Sequence, residues 1–381
     1  MNTAMILLGA TIILAVYGAT NIYIGTRLFQ WLKWRFPGAR ASVFTAVFAL
    51  VAGSLLLSMM PLPAGIKTAF GWFGSYWMGI FVYLLLFLFA ADLVLVAGTL
   101  LKLVPSPIPG RIRFAAGSAA LLLTACVVGY GIFNAHQVRH VSYTVQTGEA
   151  KAPAGLHIVL ISDLHLGAVH SEKHLERIID EINRLEPDLV CMAGDIFNDD
   201  FNAIRDPDKA SALLRSLKTR YGVYASLGNH DSGKTFGLMT AFLERSNVNL
   251  LTDEYVIVDG RLALFGRVDP SPIRGFGGLE RKEIADQLEA LDPALPVVVM
   301  DHTPDHLDEY DGRVDLVLAG HTHQGQIFPA NLITNAIFVV DHGHYQKDAG
   351  SPHVIVTSGA GTWGMPMRVG TNNEIVSIYL Q

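Results

Sequence analysis

Five short stretches of the chain carry side chains that can bind a cation or move a proton, and all five follow runs of aliphatic residues. They are Asp163-x-His165, Gly194-Asp195, Gly228-Asn229-His230-Asp231, Asp301-His302-Thr303-Pro304 and Gly320-His321-Thr322-His323. Carboxylates, an amide oxygen and imidazoles without any thiolate suit first-row cations such as Mn, Fe or Zn. If Asp163 and His165 continue the strand before them, positions i and i+2 share a side and converge on one ion, and His321 with His323 repeats that spacing. His230 next to Asp231 is an imidazole–carboxylate pair of the kind that fixes tautomer and basicity.

Each stretch needs an element to aim it. Leu156–Ile161 (LHIVLI), Asp188–Ala193 (DLVCMA), Gly222–Leu227, Pro296–Met300 (PVVVM) and Val314–Ala319 (VDLVLA) read as strands buried on both faces. Ligands in α/β proteins collect at the carboxyl ends of such strands. Ser171–Leu185 has helical spacing of Leu175, Ile178, Ile179, Ile182 and Leu185, with Ser171 as N-cap. Lys209–Thr219 and Glu280–Leu291 also read as helices. Tyr255–Val258 and Arg261–Gly266 flank an Asp259-Gly260 turn. Segments near Phe338–Val340, Val354–Thr357 and Ile375–Leu380 suggest a second sheet.

The remaining third of the chain is different in kind. Of 381 residues 51% are hydrophobic, and the mean hydropathy is +0.35, too apolar for an ordinary water-soluble chain. Residues 1–140 hold nine Lys/Arg and a single acid, Asp92, whereas residues 141–381 hold 19 Lys/Arg against 33 Asp/Glu, a formal charge of −14. That acidity excludes nucleic-acid backbone binding as the second half's main business. Cys126 and Cys191 supply neither a disulfide framework nor a thiolate zinc site.

Runs near Ala4–Ile24, Val43–Met60, Trp72–Val96 and Phe114–Phe133 can each cross a ~30 Å bilayer as helices. Arg27, Lys33, Arg35 and Arg40 in the first loop, and Lys102, Arg111 and Arg113 in the third, outweigh Lys67 in the second. Basic loops stay in the cytoplasm, so both termini are expected on the outer side of the membrane. Residues 1–135 are then a four-helix transmembrane anchor and 136–154 a linker containing Gly148 and Pro153, with the second domain at 155–381. Asp92 reads as an acid near the headgroups. His136, His140, His170, His174 and His306 read as solvated, as do Asp199 and Asp200; His342, His344 and His353 read as surface histidines near the site edge.

The ordered set of five stretches resembles the calcineurin-like metallophosphoesterases, whose five motifs it matches across residues 155–381. The resemblance implies a four-layered α/β/β/α sandwich around a dinuclear metal centre. One divalent metal ion would take Asp163, His165 and His323, the second Asn229, His302 and His321, with Asp195 bridging. His230 would serve as general acid or as donor to the phosphoryl group, oriented by Asp231. The implied activity is hydrolysis of a phosphodiester, pyrophosphate or phosphomonoester by direct attack of metal-bound water. The rival expectation is a non-catalytic, metal-binding membrane sensor with the same fold. SDLHLG at 162–167, YGVYASLGNHD at 221–231, HTPD at 302–305 and the Ser358–Arg368 segment look like the membrane-associated bacterial branch that includes UDP-2,3-diacylglucosamine pyrophosphatase-like enzymes. That likeness implies a phosphorylated small-molecule or lipid-linked substrate; the acidic charge leaves no nucleic-acid partner expected. One departure is Asn372-Asn373-Glu374-Ile375, where relatives commonly have Pro-Pro-Glu-Ile.

Overall fold

A computed structural model describes residues 3–147, 155–167, 169, 172–310 and 312–381. Ser171, His170, Gly148 and Pro153 lie outside the described residues. The chain divides into two compact units, Met1–Tyr130 and Gly131–Gln381.

The first unit contains α1 (Thr3–Arg35), α2 (Ala41–Ala52), α3 (Ser54–Ser58), α4 (Ala64–Leu100) and most of α5 (Gly110–Ala135). Among the described residues, three helices are long and apolar enough to cross a membrane: Leu7–Arg35, Gly65–Leu100 and Gly110–Ala135. The run expected as a second span, Val43–Met60, is instead broken into α2 and α3 at Gly53. There the Ser54 hydroxyl donates to the Val51 carbonyl (2.6 Å), and Gly/Ser pairs are a common cause of sharp helix breaks. Ile24, Trp77, Phe81, Leu84, Leu88 and Ala120 form this unit's core. The single acid is neutralised: Arg27 donates through Nε and Nη2 to Asp92 Oδ2, each at 2.8 Å, and the Tyr23 hydroxyl donates to the same oxygen at 2.6 Å.

The second unit is a mixed α/β fold with two six-stranded sheets. Its elements in chain order are β1 (Val138–Val145), β2 (Leu156–Ile161), α6 (Glu172–Leu185), β3 (Leu189–Ala193), α7 (Pro207–Arg215), β4 (Val223–Ser226), α8 (Phe236–Arg245), β5 (Val248–Leu250), β6 (Glu254–Val258), β7 (Leu262–Gly266), α9 (Ala285–Ala290), β8 (Val297–Met300), β9 (Leu316–Ala319), α10 (Ala330–Ile337), β10 (Gly343–Tyr345), β11 (His353–Val356) and β12 (Asn373–Leu380). The first sheet runs β1-β12-β2-β3-β4-β5 and the second β10-β11-β9-β8-β7-β6.

Alternation along the strands decides the layering. Val159 and Ile161 of β2 pack with Leu175, Ile178, Ile179 and Ile182 of α6. Their neighbours Ile158 and Leu160 join Leu262, Leu264, Val298 and Leu316 in a core shared by both sheets. Ala263 and Phe265 point the other way, to Ile284, Leu288 and Leu291 around α9.

Three features differ from the sequence reading. Residues 138–145, read as part of a linker, form β1, paired in parallel with β12 over eight residues; Val145 is fully buried. The closing strand, expected in the second sheet, lies in the first, antiparallel to β2. Phe338–Val340 is not a strand, and β10 follows it at Gly343–Tyr345.

Candidate metal centre

The ends of β2, β3, β4, β8 and β9 bring all seven expected ligand residues together. Beyond β2 and β3 the backbones stay in step: Asp163 N–H donates to Gly194 O (3.1 Å), His165 N–H to Asp195 O (3.0 Å) and Leu166 N–H to Ile196 O (2.9 Å). The extended geometry expected for Asp163-x-His165 is absent. Asp163 (φ 55°), His165 (46°), Asp195 (51°), His321 (70°) and His323 (49°) all adopt left-handed backbone, a conformation that side-chain-bearing residues enter at a cost. Convergence therefore comes from tight turns at the strand ends, and such strain collects at functional sites. Close approach also dictates glycine: a Cβ on Gly228 would lie 2.2 Å from Asp195 Oδ1, and one on Gly320 would lie 2.4 Å from Asp163 Oδ2.

Two overlapping donor groups result, Asp163 with His165 and His323, and Asp163 with Asp195 and His302, all buried. In the first, His165 Nε2 and His323 Nε2 stand 3.1 Å apart, at 3.8 Å and 3.3 Å from Asp163 Oδ1. That carboxylate oxygen is fully buried and has no hydrogen-bond partner. Asp163 Oδ2 is satisfied by the Ser162 hydroxyl (2.6 Å) and the His321 N–H (3.1 Å). A buried carboxylate oxygen facing two imidazole nitrogens costs free energy unless a cation completes it. Asp195 Oδ2 reaches both groups, 3.7 Å from His165 Nε2 and 3.1 Å from His302 Nε2. His302 Nδ1 donates to the Ala193 carbonyl (2.7 Å), which turns Nε2 toward the carboxylates, the usual arrangement for an imidazole ligand. His321 Nδ1 lies 3.0 Å from Asn229 Oδ1, and the His321 and His302 rings meet edge to face at 5.2 Å. The donor set fits divalent cations, with Asp163, His165, His323, Asp195, His302, Asn229 and His321 available to hold them.

Burial and mutual charge shift several of these groups. Burial raises the Asp163 carboxyl to about 6, although the charge on His302 works against that rise. Burial disfavours protonation of His302, but Asp195 outweighs it and lifts the imidazole well above its ordinary range. Burial, and after it the neighbouring His165 and Arg368, hold His323 far below that range. Burial and His302 bring His321 down to about 4. His321 and His323 are thus held in the neutral form a metal ligand needs, whereas His302 would have to release its proton to bind a cation.

The expected His230–Asp231 pair is replaced by another. Asp231 turns inward, where its carboxylate accepts from Phe197 N–H (2.8 Å) and Gly228 N–H (2.9 Å) and closes its own turn. Burial and the Asp195 charge raise its pKa to about 7. His230 Nδ1 lies 3.0 Å from Asp199 Oδ1 instead, so Asp199 is not merely a solvated loop residue. Burial opposes protonation of His230, but the hydrogen bond to Asp199 and the charge of Asp195 raise its pKa overall. The His230 ring sits 5.1 Å from that of His165 and 5.8 Å from the Trp363 ring, and the His230 backbone N–H donates to Asp195 Oδ1 (2.8 Å). The motif-based reading missed Asp199 because nothing local distinguishes it from Asp200.

Behind the site lies a second residue without an assigned role. Arg368 is fully buried. It donates to Asn373 Oδ1 (2.8 Å), His323 O (2.9 Å), Ser358 O (2.6 Å) and Gly361 O (2.7 Å). Its Nη2 also lies 3.2 Å from His323 Nδ1. Of the peripheral histidines, His174 is not solvated but packs against the Ala360 carbonyl (2.8 Å). His342 pairs with Glu374 at 3.1 Å.

Comparison with known proteins places this geometry. The calcineurin-like phosphoesterase family profile matches residues 156–325. A transmembrane protein with metallophosphoesterase domain from Danio rerio is 30% identical over 330 residues, covering 80% of this chain and 72% of that protein. An uncharacterized metallophosphoesterase of Bacillus subtilis is 31% identical over 241 residues, covering 60% of this chain and 79% of that one. A Helicobacter pylori metallophosphoesterase is 30% identical over 232 residues, and the chain spans 60% of its length. The chain belongs to the calcineurin-like phosphoesterase family.

Proposed function

We propose that the chain is a membrane-anchored phosphohydrolase that cleaves a phosphodiester, pyrophosphate or phosphomonoester. The observation that carries this is the orphaned Asp163 Oδ1 between two imidazole nitrogens, with the His230–Asp199 pair beside it. Asp163, His165 and His323 would hold one divalent cation, and Asn229, His302 and His321 a second, with Asp195 shared. Cations there supply charge neutralisation for a phosphoryl group and acidify water. The chain's own contribution is His230: with Nδ1 committed to Asp199, Nε2 is left to carry a proton to the leaving oxygen or to hold a phosphoryl oxygen. With the Asp and His side chains of the donor set committed to cations, direct attack of water on phosphorus is the route proposed.

The basic clusters Arg27–Arg40 and Lys102–Arg113 share one side of a bilayer only if the broken α2–α3 segment also crosses. Its 18 residues from Ala41 to Ser58 would span about 27 Å as continuous helix, close to a ~30 Å hydrocarbon core. On that reading both termini and the catalytic unit lie outside the cytoplasm. A lipid-linked phosphate or phosphodiester at the outer bilayer surface is the favoured class, since the cytoplasmic UDP-lipid of the pyrophosphatase-like branch would lie on the other side of the membrane.

The test uses the full-length protein in nanodiscs, stripped of metal and reloaded with Mn. Turnover of bis-p-nitrophenyl phosphate should require metal and should be lost in Asp195→Asn and in His230→Ala. Metal binding without turnover on diester, monoester or pyrophosphate substrates would leave a non-catalytic sensor in place of the enzyme.

A further inference from the structure

We propose that α10 and its flanks form a membrane-inserting face beside the metal centre, and that the lipid interface is what covers it. Phe328 (44% exposed), Leu332 (61%), Ile333 (60%), Ile337 (68%) and Val339 (72%) present their apolar side chains to the surface within twelve residues. From Gln324 to Val340 there is no ionisable side chain, on a domain that is otherwise strongly acidic. None of the described residues of α10 is buried. A helix packed against a water-soluble domain hides its apolar face and shows its polar one; α10 does the reverse. Thr334, on its inner side, donates to Asp341 Oδ2 (2.9 Å), while the leucine and isoleucines face out. Contiguous apolar surface of this size marks a contact with protein or membrane, and an outward apolar helix face is the arrangement used for insertion at the headgroup level.

The choice of lipid over protein comes from where the chain leaves its apolar segment. The last residues of α5, Gly131–Ala135, belong to the catalytic unit. Gly131 O accepts from Arg368 N–H (2.9 Å), and Asn134 Nδ2 donates to Thr371 O (2.8 Å). The same loop pairs through Val369 with Ile327, and Val369 O accepts from Phe328 N–H (2.8 Å). Phe328 leads directly into α10. The last turn of a membrane-length helix and the start of the apolar face are therefore held to one short loop of the same unit, and this chain continuity with an apolar segment is why lipid is the occupant proposed.

The metal centre is on the same segment. His323 precedes α10, and the Phe338 ring after it meets His321 at 5.9 Å. Resting on the phosphohydrolase reading above, this identifies the substrate class as an amphiphile whose phosphoester sits at headgroup depth.

The experiment uses the full chain with Cys126→Ala, reconstituted in nanodiscs of phosphatidylcholine and phosphatidylglycerol. Cys191, the other cysteine, is buried. A single cysteine replacing Ile333 or Ile337 carries an environment-sensitive fluorophore, with one replacing Ile257, exposed on β6, as control. Labels at 333 and 337 should be quenched by acyl-chain nitroxides and shielded from iodide, with the opposite behaviour at 257. Iodide access at 333 and 337 equal to that at 257 overturns the proposal. So does shielding from iodide without nitroxide quenching, which would mean that protein covers the face. In the activity arm, Ile333→Glu with Ile337→Glu should lower turnover of a bilayer-embedded phosphoester roughly tenfold while bis-p-nitrophenyl phosphate turnover stays within twofold. Equal losses on both substrates overturn the link to substrate class. If neither substrate turns over, the hydrolase reading fails, and the quenching arm still decides insertion.

Discussion

Replacing Asp199 with Asn should separate the proton-handling pair from the metal ligands. The bond at stake joins His230 Nδ1 to Asp199 Oδ1 at 3.0 Å, with the imidazole side chain 10% exposed and the carboxylate 30% exposed. A charge-assisted hydrogen bond contributes about 1.5–3 kcal/mol net. The partial exposure of Asp199 puts this one toward the lower end, about 1.5–2 kcal/mol, or ten- to thirtyfold in kcat/KM. The amide keeps the shape and removes the charge. The sign of the pH effect follows from the direction of the shift: Asp199 raises the His230 pKa, and a proton donor loses activity as pH rises through that value. Asp199→Asn should therefore move the alkaline limb of the kcat/KM profile to lower pH with metal content unchanged. His230→Ala removes the donor itself, about 10²–10⁴-fold, and adding Asp199→Asn to it should cost little more, because the two act as a unit. Steady-state rates on bis-p-nitrophenyl phosphate across pH, with metal analysis of each variant, read all of this. Full activity in Asp199→Asn, multiplicative losses in the double variant, or the limb shift appearing in Asp231→Asn instead would refute the assignment.

Two further perturbations test the scaffold behind the site. A chain starting at Gly155 lacks β1, whose eight-residue ladder covers the outer edge of β12, and loses buried Val145. Burial of one valine contributes about 1.5–3 kcal/mol. Relative to a chain starting at Gly131, its melting temperature should fall by several degrees, at ~2–4 °C per kcal/mol; identical melting curves would show that β1 adds nothing. Arg368→Lys tests the buried guanidinium, which burial holds at about 10 and which therefore stays charged at neutral pH. An ammonium cannot reach Asn373, His323, Ser358 and Gly361 together. With two or so buried acceptors left unmatched at about 1–3 kcal/mol each, the denaturation free energy should drop by roughly 2–5 kcal/mol. Metal occupancy should fall with it, since His323 loses its backbone anchor. An unchanged denaturation midpoint would sink that account.

Which parts of this were legible in the sequence follows from how local each cause is. A buried strand and the polar residue that ends it are adjacent in the chain, so β2, β3, β4, β8 and β9 and the ligand residues beyond them could be read directly. The geometry at those ends could not. Left-handed turns at Asp163, His165, His321 and His323 do the converging that an extended i, i+2 spacing was expected to do. The break at Gly53 was likewise invisible to a hydropathy window, which sums apolar residues without regard to a Gly-Ser pair. β1 was missed because its mixed composition reads as linker; only pairing with β12, more than two hundred residues away, makes it a strand.

The His230 partner shows the same limit most sharply. Asp231 is adjacent in sequence, but its carboxylate is captured by the N–H groups of Gly228 and Phe197, as short acidic side chains in turns commonly are. An adjacent carboxylate held by its own turn is not free to reach the imidazole beside it. Asp199, 31 residues earlier, is brought there by the loop that leaves β3 after the ligand Asp195. The loop that places a metal ligand thus also supplies the partner of the proton donor. Asp195 and Asp199 are then one structural unit, and the pH limb that Asp199 controls should move when that loop is lengthened by a residue between them, even with every ligand intact.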